Sequence, residues 1–183
     1  MLHLFFPDDY VRDVCSIDYD SLSAHGCRGL IFDIDNTLVP HGADSTPEVD
    51  VFLNGLLKKG FILLMLSNNT EERVLRFLKN VPALYVCDAE KPSPAGYRRA
   101  LEVMGLEAGQ VVVIGDQVFT DVFGANRSGL KSILVRFIGY DTEKKIGIRR
   151  RVEKVILWFY GLTKKGRAGH MGGSGEKQGK GVF

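Results

Sequence analysis

Five short aliphatic runs, at residues 29–34, 61–66, 83–86, 110–114 and 131–135, constrain this chain more than any other feature. Each is apolar at successive positions. A strand with one wet face alternates apolar and polar residues, whereas a strand apolar on both pleat faces belongs inside a parallel sheet covered on both sides. Helical patterns lie between the runs, at about residues 47–59, 71–79, 94–104 and 120–127. Thr46, Pro47 and Glu48 read as an N-cap followed by proline at the first helical position. Asn69 and Thr70 precede the acidic pair Glu71 and Glu72, which suits the positive end of a helix dipole. Gly60, Gly105 and Gly129 fall where helices should stop. Strand alternating with helix predicts an α/β fold, a doubly wound, mostly parallel sheet with helices on both faces. In such sheets chemistry gathers at the carboxyl ends of the strands.

The chain has 183 residues, 45% apolar and 25% charged, which suits one soluble domain with a core of its own. Residues 1–160 read as that domain. Residues 161–183 are rich in Gly and Lys without periodicity and read as a disordered tail. A net charge of +2 argues against a nucleic-acid partner. Three cysteines at long spacings, with no CxxC, argue against a disulfide framework or a thiolate zinc site and for a reducing compartment. No apolar run approaches the roughly 20 residues that span a bilayer. A cytoplasmic location is therefore expected, with peripheral membrane association left open.

The strand ends carry residues suited to phosphoryl transfer. The first run closes on Asp33, Asp35 and Thr37. Two carboxylates two residues apart point the same way and need a cation or a proton between them. A solvated acidic turn or a calcium-type loop is the alternative, and the apolar strand that feeds directly into the acids argues against it. The second run is followed by Ser67, Asn68 and Asn69, where a hydroxyl can hold a phosphoryl oxygen or merely cap a helix. Lys91 follows the third run. The fourth closes on Gly115 and Asp116, with Asp121 beyond, placed to serve a metal and a cation or only to cap a helix.

Taken in order, these residues resemble the haloacid dehalogenase (HAD) superfamily, whose motifs are DxDx[TV], a Ser or Thr, a Lys, and GDxxx(x)D. The wording around Asp33, Ser67 and Asp116 is similar to YqeG-type phosphatases of subfamily IIIA, a group similar to phosphatidylglycerophosphate phosphatases. The resemblance spans roughly residues 28–138. It implies a HAD-like Rossmannoid fold and a phosphomonoesterase. Asp33 would be the nucleophile, forming an aspartyl-phosphate. Asp35 would be the general acid and base. Thr37, Ser67, Asn68 and Lys91 would bind phosphate. Asp33, the backbone carbonyl of Asp35, and Asp116 would hold Mg2+. Asp121 would orient Lys91 or support the metal shell.

The intervals from Thr37 to Ser67 and from Ser67 to Lys91 leave no room for a cap domain. An open site suits a phosphorylated substrate of some bulk, lipid or macromolecular, or a soluble phosphate under an oligomer's lid. A non-catalytic binding protein on the same scaffold and a receiver-like domain are the readings from other classes. Segment 144–160, which opens on Lys144 and closes on Tyr160, bears on this choice. Ile148, Val152, Val155, Ile156 and Phe159 form one apolar stripe at helical spacing. Leu157 and Trp158 fall with Arg149, Arg150, Arg151 and Lys154 on the other side. Packing of the stripe on the core, or a peripheral membrane contact, is expected. The apolar residues 2–6 could join either arrangement.

Overall fold

The computed structural model describes residues 2–138 and 148–163. Its strands are β1 (Asp9–Val11), β2 (Gly29–Phe32), β3 (Ile62–Leu66), β4 (Leu84–Val86), β5 (Val111–Gly115) and β6 (Lys131–Val135). They form one sheet in the order β1-β6-β5-β2-β3-β4, with every neighbouring pair parallel. Each of the five aliphatic runs contains a strand, and β2 and β5 are buried at every residue. β1 has no counterpart in the sequence reading. It is a three-residue, half-buried edge strand that pairs only with β6, so the two-faced apolar pattern never develops.

The helices are α1 (Tyr19–Ala24), α2 (Pro47–Lys58), α3 (Glu71–Phe77), α4 (Pro94–Met104), α5 (Phe123–Arg127) and α6 (Ile148–Leu162). Their caps follow the sequence signals. Thr46 accepts the Val49 N–H at α2, and Gly105 closes α4 in the left-handed region at φ 64°. Alternation along β2 assigns the two faces. Leu30 and Phe32 pack with Tyr19, Leu53, Leu56, Val74 and Phe77 from α1, α2 and α3. Ile31 packs with Tyr97, Ala100, Met104 and Ala125 from α4 and α5. Each such large side chain contributes roughly 1.5–3 kcal/mol relative to remaining exposed.

The chain runs from β2 out to β3 and β4, then returns to place β5 on the other flank of β2. The crevice beyond β2 and β5 is thus the topological switch point, where doubly wound sheets take their ligands. A loop, α2 and β3 fill the interval from Thr37 to Ser67, and α3 and β4 fill that from Ser67 to Lys91, so no cap covers it from those intervals.

Two expectations need correcting. The helix expected at 120–127 is divided into a π-helical turn at Val118–Val122 followed by α5, a device that turns Asp121 back toward the strand ends. The orientation of α6 also differs. Glu153, Ile156 and Tyr160 are buried with Leu157 packed beside them, while Val152, Val155 and Phe159 face outward with Trp158 and Leu162. The physical reason is Glu153. Its carboxylate accepts the Val118 N–H at 3.0 Å, satisfying a backbone donor in the turn after β5. Phe6 meets the Tyr160 ring at 5.8 Å, and Phe5 stacks on Phe123 at 4.5 Å, so the N-terminal residues join the core. α6 continues to Leu162, two residues past the expected domain boundary. Residues 164–183, most of the expected tail, lie outside the described residues, as do the side chains of Ile148, Arg149, Arg150 and Arg151.

Candidate active site

β2 ends at Phe32, and the Asp33 N–H still donates to the Ile114 carbonyl at 2.9 Å, so Asp33 is held at the carboxyl end of the sheet between β2 and β5. The chain then turns tightly. Asn36 sits in the left-handed region at φ 64°, which Asn tolerates better than most residues. The N–H groups of Thr37, Leu38 and Val39 return to the Ile34 carbonyl, and Thr37 is buried. This brings the Thr37 hydroxyl to 3.3 Å from Asp33 Oδ2.

Lys91 Nζ donates to Asp33 Oδ1 at 2.5 Å and to Asp121 Oδ1 at 2.8 Å. Burial opposes its charge, but Asp121 and Asp33 outweigh that and raise the ammonium above the usual lysine range. Burial is also the largest influence on Asp33; Lys91 opposes it, the charges of Asp121 and Asp35 add to it, and the carboxyl is pushed up to about 6. Asn68, expected among the phosphate ligands, grips the backbone of Lys91. Its Oδ1 accepts the Lys91 N–H at 2.7 Å and its Nδ2 donates to the Lys91 carbonyl at 3.2 Å. Ser67 is buried at the end of β3, where its Oγ accepts the Asn69 N–H at 3.1 Å and the O–H hydrogen remains to donate.

Asp116 and Asp121 are both buried. Asp121 Oδ2 accepts from the Gln117 N–H at 3.1 Å and from the Thr120 hydroxyl at 3.4 Å. Tyr97 donates its hydroxyl to the Thr120 carbonyl at 2.9 Å and so holds the turn from below. Gly115 makes the approach of Asp121 feasible, because a Cβ there would lie 2.3 Å from Asp121 Cγ. Gly115→Ala is therefore expected to lower stability by about 1–3 kcal/mol and to reduce activity by displacing Asp121 from Lys91. Thermal melting and turnover measured together test this, and an alanine variant with wild-type values in both would contradict it.

Asp35 faces a different set of partners. Asn69 Nδ2 donates to Oδ2 at 2.5 Å, the Gly42 N–H to Oδ1 at 2.9 Å, and Arg73 Nη2 to Oδ1 at 3.1 Å. His41 Nδ1 lies 3.7 Å from Oδ2. Burial works against its ionised form, but the Gly42 N–H, Asn69 and Arg73 outweigh it and hold the carboxyl below its ordinary range. Asn69 and Arg73 were not among the expected site residues. Asn69 adjoins the Ser67 motif, and that adjacency is its signal in the sequence. Arg73, one polar residue on a helix that also carries Arg76, gives no sign in the sequence of the contact it makes.

The structure thus gathers Asp33, Thr37, Lys91 and Asp121 in direct contact. Asp33, Asp116 and Asp121 each bring a carboxylate oxygen within 4.8 Å of the others. Three converging hard oxygens opposed by one ammonium fit a hard divalent cation. Both oxygens of Asp33 and both of Asp121 are also engaged within the cluster, Asp33 by Lys91 and Thr37 and Asp121 by Lys91, Gln117 and Thr120.

The family model for HAD-hydrolase-like proteins matches residues 88–147. A Bacillus subtilis (strain 168) protein described as "Probable phosphatase YqeG" is 35% identical over 159 residues, covering 86% of this chain and 92% of its own length. Phosphatidylglycerophosphate phosphatase 1, chloroplastic, of Chlamydomonas reinhardtii is 29% identical over 85% of this chain and 62% of its own length. Among solved structures, NagD from Escherichia coli K-12 aligns with a TM-score of 0.51 at 15% identity, over 66% of this chain and 94% of that one, a likeness of fold alone. The match to the Bacillus relative runs nearly end to end and takes in every motif of the site, and on it the chain belongs to the haloacid dehalogenase superfamily, among the YqeG-type proteins.

Proposed function

We propose that this chain is a Mg2+-dependent phosphomonoester hydrolase working through an aspartyl-phosphate on Asp33. The observation that carries the reading is the buried cluster at the switch point, where Lys91 Nζ lies 2.5 Å from Asp33 and 2.8 Å from Asp121. Asp33 forms a bond to phosphorus as the ester P–O bond breaks. Asp35, ionised in the free site, takes up a proton from solvent when the charge of the phosphoryl group arrives beside it and passes that proton to the departing oxygen. Asp35 then takes a proton from water as that water's oxygen attacks phosphorus, which releases phosphate and restores Asp33. Lys91, with the hydroxyls of Ser67 and Thr37, holds the phosphoryl oxygens where negative charge builds. Asn68 fixes Lys91 from behind. Asp33, the Asp35 carbonyl and Asp116 would hold a Mg2+, which would supply the positive charge that lets an anionic nucleophile meet an anionic phosphate.

The substrate we favour is a phospholipid phosphate monoester, phosphatidylglycerophosphate, met at the cytoplasmic face of a membrane. The similarity to a relative named for that substrate supports this, as does the absence of a cap between Thr37 and Lys91. The outward face of α6 supports it too. Trp158 is 62% exposed and lies with Val152, Val155, Phe159 and Leu162 on a helix tied through Glu153 to the turn that carries Asp121. Lys144, Lys145, Lys154, Lys164, Lys165 and Arg167 surround that face in sequence. Apolar and aromatic residues flanked by basic ones suit the interface of an anionic bilayer. No helix of the described residues is long and apolar enough to cross one.

The test is Mg2+-dependent phosphate release from an aryl phosphate, from glycerol phosphate, and from phosphatidylglycerophosphate in anionic mixed micelles. Hydrolysis of the lipid should exceed that of glycerol phosphate, and it should weaken in high salt and in Trp158→Ser. Turnover of none of the three would remove the enzymatic reading. Equal turnover of lipid and glycerol phosphate would assign the enzyme to soluble phosphates.

A further inference from the structure

Arg73 stands at the Asp35 side of the site and has no part in the reading above. It lies in the first turn of α3. Its Nη2 donates both to Asp35 Oδ1 at 3.1 Å and to the Ala43 carbonyl at 2.6 Å. The two side chains are deeply set, at 11% exposure for Arg73 and 13% for Asp35. Nε and Nη1 of Arg73 are buried and have no hydrogen-bond partner among the described residues, so its polar contacts are concentrated on the one nitrogen that meets Asp35. The Phe77 ring backs the guanidinium at 6.0 Å. Bracing the loop alone would not require this arrangement. Arg76 on the same helix braces it from the surface, through Asp44 at 2.6 Å and the Gly42 carbonyl at 3.5 Å, and does not touch Asp35.

We propose that Arg73 is a positioning residue for the acid/base step, holding the Asp35 carboxylate with Asn69 against loop 41–43 and so setting the place from which Asp35 delivers its proton. The proposal rests on the reading of Asp35 as acid and base. As the bond from Asp33 to phosphorus forms and the ester P–O bond breaks, the proton that Asp35 has taken up from solvent on substrate binding passes to the departing oxygen. A nitrophenolate leaves with little need of that proton, whereas an alkoxide needs it fully. Loss of positioning therefore weighs on alkyl phosphates.

The experiment compares kcat and KM for p-nitrophenyl phosphate and glycerol phosphate at one Mg2+ concentration, in Arg73→Ala, Arg73→Lys, Arg76→Ala and Asp35→Asn. Arg73→Ala is expected to lower kcat on glycerol phosphate by about 10–100-fold, with only a few-fold loss on the aryl ester and little change in KM. Arg73→Lys should recover part of the loss. Arg76→Ala, which frees the same loop without touching Asp35, should keep the wild-type ratio between the two substrates. An equal fall on both substrates, a fall shared by Arg76→Ala, or a change confined to KM would overturn the proposal. Asp35→Asn separates the two claims. If it fails to discriminate between the esters, the acid/base reading falls and the proposal with it. If it discriminates and neither Arg73 variant does, the Arg73 proposal alone falls.

Discussion

Asp33→Asn is expected to abolish phosphate release, lowering turnover by roughly four to six orders of magnitude, as loss of an activated nucleophile does. The same variant should stabilise the metal-free protein, and the sign follows from its surroundings. Burial, with the charges of Asp121 and Asp35, raises the Asp33 carboxyl from 3.8 to about 6 against the pull of Lys91. A raised carboxyl holds its proton more tightly folded than unfolded. Its cost to stability is absent below about pH 3.8, grows between 3.8 and about 6, and is complete above that. In chelator at pH 7.5, Asp33→Asn should therefore gain on the order of 1–3 kcal/mol over wild type, and near pH 3.5 the gain should vanish. Urea unfolding at the two pH values measures both. A variant that is less stable at pH 7.5, or one that retains turnover, would show that Asp33 is neither the nucleophile nor the strained member of the cluster.

Lys91→Met is the second large effect, and it runs the other way. Lys91 is the ammonium that meets both Asp33 and Asp121. Without it, these carboxylates and the nearby Asp116 share a buried space without the ammonium that offsets their charge, and removing one partner of such a group costs about 3–5 kcal/mol. Activity should fall with stability, because the same ammonium faces the phosphoryl oxygens. The stability deficit should shrink as pH drops toward 5, since protonating Asp33, whose carboxyl burial already pushes up to about 6, relieves the repulsion in the cluster. Saturating Mg2+ should also narrow it, because a cation bound to the folded state stabilises by mass action. A deficit independent of both pH and Mg2+ would mean that Lys91 matters for packing alone.

These two predictions concern residues that are legible in the sequence. They sit at strand ends, and strand ends are visible because a buried parallel strand must be apolar on both faces and then stop. Thr37, Ser67 and Asp116 are legible for the same reason. Asp121 is partly so. Its spacing from Asp116 was plain, but its salt bridge to Lys91 depends on a π-helical turn and on the absence of a side chain at Gly115. Asn68 shows the limit of motif reading. Its place beside Ser67 suggested a phosphate ligand, while its amide is engaged with the backbone of Lys91, far away in the chain.

α6 shows a different limit. Its sequence carries more apolar residues than one face can hold, and helical periodicity favours the wider stripe. The structure buries the narrower one, because a carboxylate can be sunk where a backbone N–H awaits it, and Glu153 finds that donor at Val118. β1 leaves no sequence signal because an edge strand of three residues never needs two apolar faces.

What the sequence determined by itself is the alternating α/β order, the parallel sheet and the identity of the acids, hydroxyls and lysine at its carboxyl end, since each follows from spacing along the chain. What only the tertiary structure decided is which of those groups touch. That includes the Lys91 bridge from Asp33 to Asp121, the grip of Asn69 and Arg73 on Asp35, and the face that α6 shows to solvent. The physical reason is that periodicity specifies which side of an element is buried only when one side is apolar. The partner of a buried charge, by contrast, is set by distances between segments that meet only when the sheet has closed.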